Sequence, residues 1–380
     1  FIFFILLNIN FSCTKEENTD QNSTQYGKGY KANSSSSLEK VDEADINDNM
    51  FNLPSAFSIE GPPIIQQGAT SQCVAFSGAY YIISMYNGVK NSQNNRATSP
   101  QFAYTQYKII NKDNNCSDGA FLFNDSANGV VGMAEILKQY GTTSWSQTPF
   151  VNDNICITTN STQLLQASSN KISDYYRLDK TEFLKTGELK SWLYAGFPLW
   201  FAVDIDAGFQ NLTTNIWNKA SGKNEGGHAM VIVGYDDSKN AFKFANSWGE
   251  DWGDKGYGWV DYTYLTSLLN KEGTEIGILY PNDSQREVFN KLSPSSCGNA
   301  GWGELLINNQ LNQVISIEIS QGATYNYNKP SNIDSKDSEQ YSGIPIGDIT
   351  IKIYVEKKIT LFKTYTVNIA QCEQSKLTVN

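Results

Sequence analysis

The hydrophobic pattern changes several times along the 380 residues and divides them into four parts. A short apolar start, residues 1–13, precedes residues 14–50, which are mostly Ser, Asn, Gln and charged side chains. Such a polar stretch buries too little apolar surface to offset the entropy of ordering, so we predict a flexible spacer. Long apolar runs fill residues 51–284, and residues 285–380 alternate apolar with polar positions. We therefore expect two folded domains after the spacer.

The first of these domains has helical patterns in its first half and strand patterns later. VAFSGAYYIISMY, residues 74–86, is apolar on nearly all sides and stops at Asn87-Gly88, which predicts a buried central helix. Residues 132–141 and 186–196 have helical spacing and end in Gly. PLWFAVDI, HAMVIVGYDD and AFKFANSW are rich in Val, Ile and aromatic residues, which favour strands. The order of elements predicts an α+β architecture of two lobes.

The second domain shows apolar residues at every other position, which is typical of half-buried strands. The sets are Ile315, Ile317, Ile319; Ile349, Ile351, Ile353, Val355; and Tyr365, Val367, Ile369. They predict a small antiparallel β-sandwich. We expect this domain to be a structural or spacing module.

Composition excludes several classes of protein. The formal net charge of −10 and the pI of about 4.8 argue against nucleic-acid binding, which requires a basic face. Six cysteines occur without a C-x-x-C pair, so we expect no structural zinc site and no metal or other cofactor. We expect a monomer that acts on a peptide or protein.

The apolar start, FIFFILLNINFSC, is too short to span a bilayer as a mature helix, which needs about 20 residues. It fits a secretory signal and ends in a sequence that resembles the lipobox of bacterial lipoproteins, with Cys13 as the lipidated residue. The following TKEENTDQNSTQ resembles the acidic tether of lipoproteins on the outer cell surface. An uncleaved anchor or a stray hydrophobic strand is the alternative. The resemblance implies an extracytoplasmic, membrane-anchored protein.

One cysteine, Cys73, lies at the first residue of the predicted central helix, where the helix dipole lowers the pKa of a thiol. A small buried core residue is the equal alternative. His228 is the one histidine in the chain and begins a predicted strand after two glycines. Asn246 ends the next predicted strand, and antiparallel neighbours bring such positions together. The three residues could therefore form a nucleophile, a base and a group that orients the base.

These residues lie in motifs that resemble those of the papain-like cysteine peptidases. Gln67-Gly68 followed by Cys73-Val74-Ala75-Phe76-Ser77 is similar to the nucleophile motif of that family. Gly227-His228-Ala229 and Asn246-Ser247-Trp248-Gly249 match its His and Asn motifs, in the same order. The resemblance covers residues 53–261. It implies a two-lobe fold and thiol-dependent hydrolysis of peptide bonds at the cell surface.

The resemblance also implies a role for each matching residue. Cys73 would be the nucleophile, His228 its general base and later acid, and Asn246 the residue that holds the imidazole. Further roles would fall to Gln67 with the N–H of Cys73 (oxyanion hole), Trp248 (shield of the His–Asn hydrogen bond), Ala229 (main specificity pocket), and Asp118 and Gly119 (in place of a Gly-Gly substrate strip).

The cysteines outside the motif suggest two disulfides. Cys116 and Cys156 resemble positions that normally pair with cysteines absent here, and could pair with each other. Cys297 and Cys372 lie near the two ends of the predicted sandwich and could pin its first and last strands together. Two buried thiols are the alternative for the second pair.

The spacer is too short and too polar for the helical inhibitory propeptide of the family, so we expect no self-inhibited form of the usual kind. The same residues leave two alternatives to hydrolysis of peptide bonds. The same triad could serve an amidase or a transpeptidase. A surface binding protein that has lost activity is a third interpretation, but Cys73, Gln67, His228 and Asn246 are all present.

Overall fold

The structure is a computed structural model that describes residues 26–33, 38, 40–44, 53–90, 97–110, 129–152, 156–178, 185–271, 273–285, 302–321, 325–345, 347–355, 360–369 and 374–380. Its helices are α1 (consecutive segments Cys73–Ala75, Phe76–Ile82 and Ile83–Tyr86), α2 (Pro100–Ile110), α3 (Gly129–Gln139), α4 (Ser161–Ala167), α5 (Thr186–Tyr194), α6 (Ala207–Gln210) and α7 (Tyr262–Leu269). Its first strands are β1 (Glu43–Ala44), β2 (Ala56–Ser58), β3 (Ile172–Leu178), β4 (Leu199–Asp206), β5 (Ile216–Trp217), β6 (Asn224–Asp236), β7 (Ala241–Ala245), β8 (Tyr257–Asp261) and β9 (Glu275–Pro281). The last strands are β10 (Trp302–Asn309), β11 (Ile315–Gln321), β12 (Tyr325–Ile333), β13 (Ser338–Pro345), β14 (Gly347–Val355), β15 (Thr360–Ile369) and β16 (Gln374–Val379).

Helix α1 is buried along its whole length, as its apolar sequence predicts. Its middle segment, Phe76–Ile82, is a π-helix, a wider turn that is frequent at functional sites. The helix packs closely on β4, because a Cβ on Gly78 would lie 2.6 Å from the ring of Trp200. It ends at Tyr86 and is followed by Asn87 and by Gly88, which has a φ of 72°. A left-handed residue at this place is the usual stop of a helix.

The strands of residues 43–281 form one sheet in the order β1-β3-β9-β4-β6-β7-β8-β5, and β2 adds to β6. Strand β6 pairs with β4 on one side and with β7 on the other, both antiparallel. It therefore lies in the middle of the sheet, and β6 and α1 contribute to the same apolar core. The start of β6 carries His228, and the end of β7 leads directly into Asn246.

The predicted elements of this domain are present with shifted ends. The helix predicted over 132–141 is α3, Gly129–Gln139, and the one predicted over 186–196 is α5, Thr186–Tyr194. The three predicted strands correspond to β4, β6 and β7. The α+β class is confirmed.

The last seven strands form a three-stranded sheet, β13-β10-β16, and a four-stranded sheet, β12-β11-β14-β15. Alternate residues of both sheets meet in one apolar cluster that includes Leu305, Ile317, Ile351 and Leu377. The sandwich is confirmed, with one difference from the purely antiparallel prediction. Strands β10 and β16 are parallel. Period-two sequence patterns are the same for both directions, so they could not reveal this.

The prediction of a flexible spacer over residues 14–50 does not hold for two of its parts. Strand β1 pairs with β3 at the edge of the sheet. Residues 26–33, which we call the strap, form an isolated antiparallel bridge from Tyr30 to Gly227 at the start of β6. The strap is held by side chains as well as backbone groups: Tyr30 is buried, and Lys28 pairs with Glu225.

Candidate active site

Cys73 is the first residue of α1 and has no exposed surface. Backbone groups of Ala229, Gly29, Val74 and Tyr30 lower the pKa of the thiol, against the larger effect of burial. Ala229 lies on β6, directly after His228. Gly29 and Tyr30 belong to the strap. The thiol is thus enclosed by its own helix, the central strand and the N-terminal segment.

His228 and Asn246 are joined by a short hydrogen bond. The Nε2 atom of the imidazole lies 2.7 Å from Oδ1 of Asn246. An amide oxygen can only accept, so Nε2 carries the proton and Nδ1 is the basic nitrogen. Nδ1 has no hydrogen-bond partner among the described residues. Asn246 is fixed in turn, because the Ser247 N–H donates to the same Oδ1 at 2.8 Å.

Trp248 covers the imidazole. Its ring is stacked on that of His228 with a centroid distance of 4.6 Å, and both residues are buried. The other stacking partner of Trp248 is Tyr26 of the strap, at 4.4 Å and an interplanar angle of 10°. The indole Nε1 donates to the Gly27 carbonyl at 3.0 Å. The shielding role of Trp248 stays a prediction, and its contact with the strap is one that the sequence did not suggest.

Gln67 lies buried beside the nucleophile loop. Its Nε2 donates to the Thr70 carbonyl at 2.7 Å, and its Oε1 accepts a hydrogen bond from the Ser247 hydroxyl. The amide is therefore oriented from both ends. One of its two N–H bonds is used by Thr70, which leaves the other for an oxyanion.

Two further contacts position this group and were not predicted. The Tyr81 hydroxyl, on α1, donates to the Asn246 carbonyl at 2.8 Å. The Ser77 hydroxyl donates to the Cys73 carbonyl at 2.8 Å and accepts from Trp200 Nε1 at 2.7 Å. Both link the nucleophile helix to the sheet. A sequence signal existed only for Ser77, which stands in the Cys motif.

Burial sets the ionisation of the two reactive groups. Desolvation raises the pKa of Cys73 to about 11, although the four backbone groups act in the opposite direction. Desolvation lowers the pKa of His228 to about 4, the Asn246 hydrogen bond opposes this, and the charge of Lys28 in the strap adds to it. Thiol and imidazole are therefore both neutral in this closed arrangement.

Several predicted residues cannot be placed. Cys13, Asp118, Gly119, Cys297 and Cys372 lie outside the described residues. Cys116 does too, whereas Cys156 is a disulfide-bonded cysteine, so the predicted pairing of these two stays a prediction. Ala229 is buried next to Cys73, and its role in a specificity pocket is also still a prediction.

In the described part of the chain, no helix is long and apolar enough to cross a membrane.

Comparison with known proteins identifies the class of protein. The sequence model of the Papain family cysteine protease matches residues 58–272, more than half of the chain. The chain belongs to this family. The predicted membership of the papain-like cysteine peptidases is confirmed.

Curated relatives match over short stretches. Gamete and mating-type specific protein A of Dictyostelium discoideum is 36% identical over 102 residues, which are 27% of this chain and 20% of the relative. Cathepsin B-like CP3 of Giardia intestinalis is 35% identical over 85 residues, 22% of this chain and 26% of the relative. The chain thus spans about a fifth to a quarter of these two proteins.

Solved structures extend the likeness to the fold. Xylellain, a cysteine protease from Xylella fastidiosa, superposes with a TM-score of 0.54 and 20% identity over 68% of this chain and 97% of its own. Procathepsin L2 from the midgut of Tenebrio molitor larvae superposes with a TM-score of 0.51 and 17% identity over 69% of this chain and 81% of its own. The papain-like fold predicted from the motifs is confirmed.

Proposed function

We propose that this peptidase hydrolyses peptide bonds with Cys73 as nucleophile, His228 as base and Asn246 as the residue that orients the imidazole. The observation that carries the proposal is the Nε2 to Oδ1 hydrogen bond of 2.7 Å, which leaves Nδ1 as the basic nitrogen. A second support is the position of Cys73, which begins α1 and lies in the same buried core as Ala229, the residue after His228.

The proposed reaction proceeds through a thioester. Nδ1 of His228 takes the proton of Cys73, and the thiolate attacks the carbonyl carbon of the substrate. The negative oxygen accepts hydrogen bonds from the Cys73 N–H and from the remaining N–H of Gln67. The imidazolium then protonates the leaving amine. Water, deprotonated by the same imidazole, hydrolyses the thioester and restores the thiol.

Catalysis by this route requires the strap to leave the cleft, because Cys73 and His228 have no exposed surface while it is present. A substrate carbonyl must also reach the sulfur from above the plane of its peptide group.

The test compares the full-length protein with its Cys73→Ala variant on a peptide library and with an epoxide that traps thiols. We expect hydrolysis and labelling of the parent and neither in the variant, with unchanged thermal unfolding. If the variant hydrolyses the library as fast as the parent, the assignment is wrong. Adding an amine acceptor to the same assay would reveal transfer instead of hydrolysis as a new amide product.

We also propose that the chain is anchored to a membrane through a lipid on Cys13 and acts outside the cytoplasm. The apolar run before Cys13 and the polar residues after it support this proposal. A Cys13→Ser variant of the natural precursor should move from the membrane fraction to the soluble fraction. Unchanged partition would refute the anchor without affecting the proposed chemistry.

A further inference from the structure

The start of β6 contains a β-bulge, three residues before the proposed base. Gly226 pairs with Ile205 on β4. Asn224 pairs with Asp206, the next residue of β4, so Glu225 is an extra residue on β6. Gly226 has a φ of 103°, in the left-handed region that favours glycine. Bulges often lie next to active sites, where they change the direction of a side chain. The direction of the Glu225 side chain is therefore set by the sheet.

The carboxylate of Glu225 has different partners on its two oxygens. Oε1 lies 3.3 Å from Nζ of Lys223, whose side chain is 81% exposed. Oε2 accepts a hydrogen bond from the side-chain amide of Gln210 at 3.3 Å and lies 3.1 Å from Nζ of Lys28 in the strap. Because Gln210 and Lys223 lie outside the strap, the carboxylate keeps these two contacts when the strap leaves the cleft.

Oε2 is the oxygen that meets a chain lying in the cleft. The side chains of Lys28 and Glu225 are 20% and 17% exposed, so their ion pair is largely shielded from water. A charge-assisted hydrogen bond in such a place is stronger than an exposed ion pair. Lys28 follows Gly27, whose carbonyl accepts a hydrogen bond from the indole of Trp248. A cationic side chain on an extended peptide in the cleft can therefore reach Oε2.

The cation on Oε2 is close to the imidazole of His228. Its charge lowers the pKa of this imidazole. Trp252 donates to the Gln210 carbonyl at 3.1 Å and packs edge-on against Trp248, which covers the imidazole. The acid therefore lies on the side of the cleft that carries the base. In the proposed reaction the imidazole protonates the leaving amine, so the residues that follow the scissile bond pass on this side.

We infer that Glu225 is a specificity-determining residue, and that it selects substrates with a lysine or arginine side chain close after the scissile bond. Oε2 accepts the cationic group, and Gln210 holds the carboxylate in place. The pairing also offsets the repulsion between the substrate cation and the imidazolium of His228. The inference rests on the proposed function, because it takes hydrolysis at Cys73 as the reaction that is made selective.

The test uses the full-length protein with Gly29→Ala, whose methyl group would lie 2.0 Å from the Ser71 carbonyl oxygen and so displaces the strap. A set of peptides carries lysine, arginine, methionine or glutamate at the first or second position after the scissile bond. At one of these positions, kcat/KM should be about tenfold higher for lysine or arginine than for methionine, which is the usual effect of a hydrogen bond to a charged group. The glutamate peptide should be the poorest substrate.

Three further substitutions in this protein assign the preference to one side chain. Glu225→Gln keeps the shape of the side chain and should bring the ratio of kcat/KM between the lysine and methionine peptides to about one. Glu225→Lys should reverse the order, so that the glutamate peptide is cleaved faster than the lysine peptide. Asp204→Asn is the matched control, because this exposed acid lies on β4 opposite Gly227, and it should keep the parental ratio.

A second way of displacing the strap applies if Gly29→Ala lowers the unfolding temperature strongly. Lys28→Met combined with Tyr30→Phe removes the ion pair and the phenol hydroxyl of the strap without a change in its backbone. The same peptides should then give the same ratios.

Binding is measured separately from turnover by adding Cys73→Ala to the same proteins. The anisotropy of fluorescent forms of the peptides should show that the lysine peptide binds about fivefold to tenfold more tightly than the methionine peptide. Glu225→Gln should remove this difference.

The outcomes separate the inference from the proposed function. Hydrolysis through Cys73 with equal kcat/KM for the lysine and methionine peptides, or with a preference that Glu225→Gln leaves unchanged, would refute the inference and leave the function intact. Absence of charge-selective binding would also refute it. Charge-selective binding that depends on Glu225, without hydrolysis or epoxide labelling, would support the role of the acid and refute the proposed function.

Discussion

The wall of the cleft that carries Cys73 and His228 and the strap that covers it are held in different ways. Cys73 and His228 stand on α1 and β6, which lie in the main apolar core, and Asn246 and Trp248 fix the imidazole. The strap is held by backbone hydrogen bonds, the ion pair of Lys28 and the phenol of Tyr30. We therefore expect the wall to keep its geometry when the strap moves.

This difference separates chemistry from access to it. In the proposed function, the wall carries the chemistry of the thiol, and the strap must leave before a substrate can reach it. Substitutions in the wall should reduce the rate of hydrolysis when the strap is displaced. Substitutions that weaken the strap should raise the rate at which Cys73 reacts in a protein whose strap is in place.

The largest expected effect concerns the wall. The Gly29→Ala substitution should displace the strap, because its methyl group would clash with Ser71. In that protein, Gln67→Ala should reduce kcat by about 10²–10³, because it removes one donor to the oxyanion. Gln66→Ala is the matched control, since its side chain is exposed next to Gln67, and it should change kcat little. Equal effects of the two substitutions would show that the Gln67 amide does not act on the oxyanion.

A smaller effect of opposite sign is expected for the strap. Tyr30→Phe keeps the ring but removes the hydroxyl that donates to Glu275 and Gly273. Loss of a hydrogen bond to a charged group should raise the rate of Cys73 labelling about tenfold in an otherwise unchanged protein. Tyr26→Phe is the comparison, because its described contact with Trp248 is ring stacking. Labelling at the parental rate in Tyr30→Phe would contradict the latch function of this hydroxyl.

The smallest effect concerns His228, a residue of the wall whose pKa is affected by Lys28 in the strap. The pKa of His228 is lowered from 6.5 to about 4 in the folded protein, so the unfolded chain binds its proton first on acidification. His228 therefore contributes stability that is present above about pH 6.5 and is lost as the pH falls toward about 4. Urea unfolding at pH 7 and pH 5 should show a smaller loss of stability in His228→Gln than in the parent. A loss of the same size in both proteins would contradict the lowered pKa.

The sequence predicted much of the wall and none of the strap contacts. The hydrogen bond of His228 with Asn246 was predicted because the proposed chemistry requires particular side chains in a particular order, and such requirements leave motifs. The hydrogen bond from Tyr81 to Asn246 joins residues far apart in the chain, and no local pattern encodes it.

The strap was missed for a different reason. At Gly27 and Gly29 any side chain would clash with the backbone of residues 68–71. The Gly27 N–H also donates to Gly68, which lies far away along the chain. In a polar stretch, such glycines are indistinguishable from those of a flexible linker. The parallel pairing of β10 with β16 was hidden similarly, since period two fixes the buried face of a strand but not its direction.

The most direct test of the central claim is library hydrolysis by the Gly29→Ala protein with and without a second substitution, Cys73→Ala. With the strap displaced, the single variant should cleave peptides and take up one epoxide label on Cys73. The double variant should do neither and should unfold at the same temperature. Equal hydrolysis by both proteins would contradict the assignment of Cys73 as the nucleophile of this peptidase.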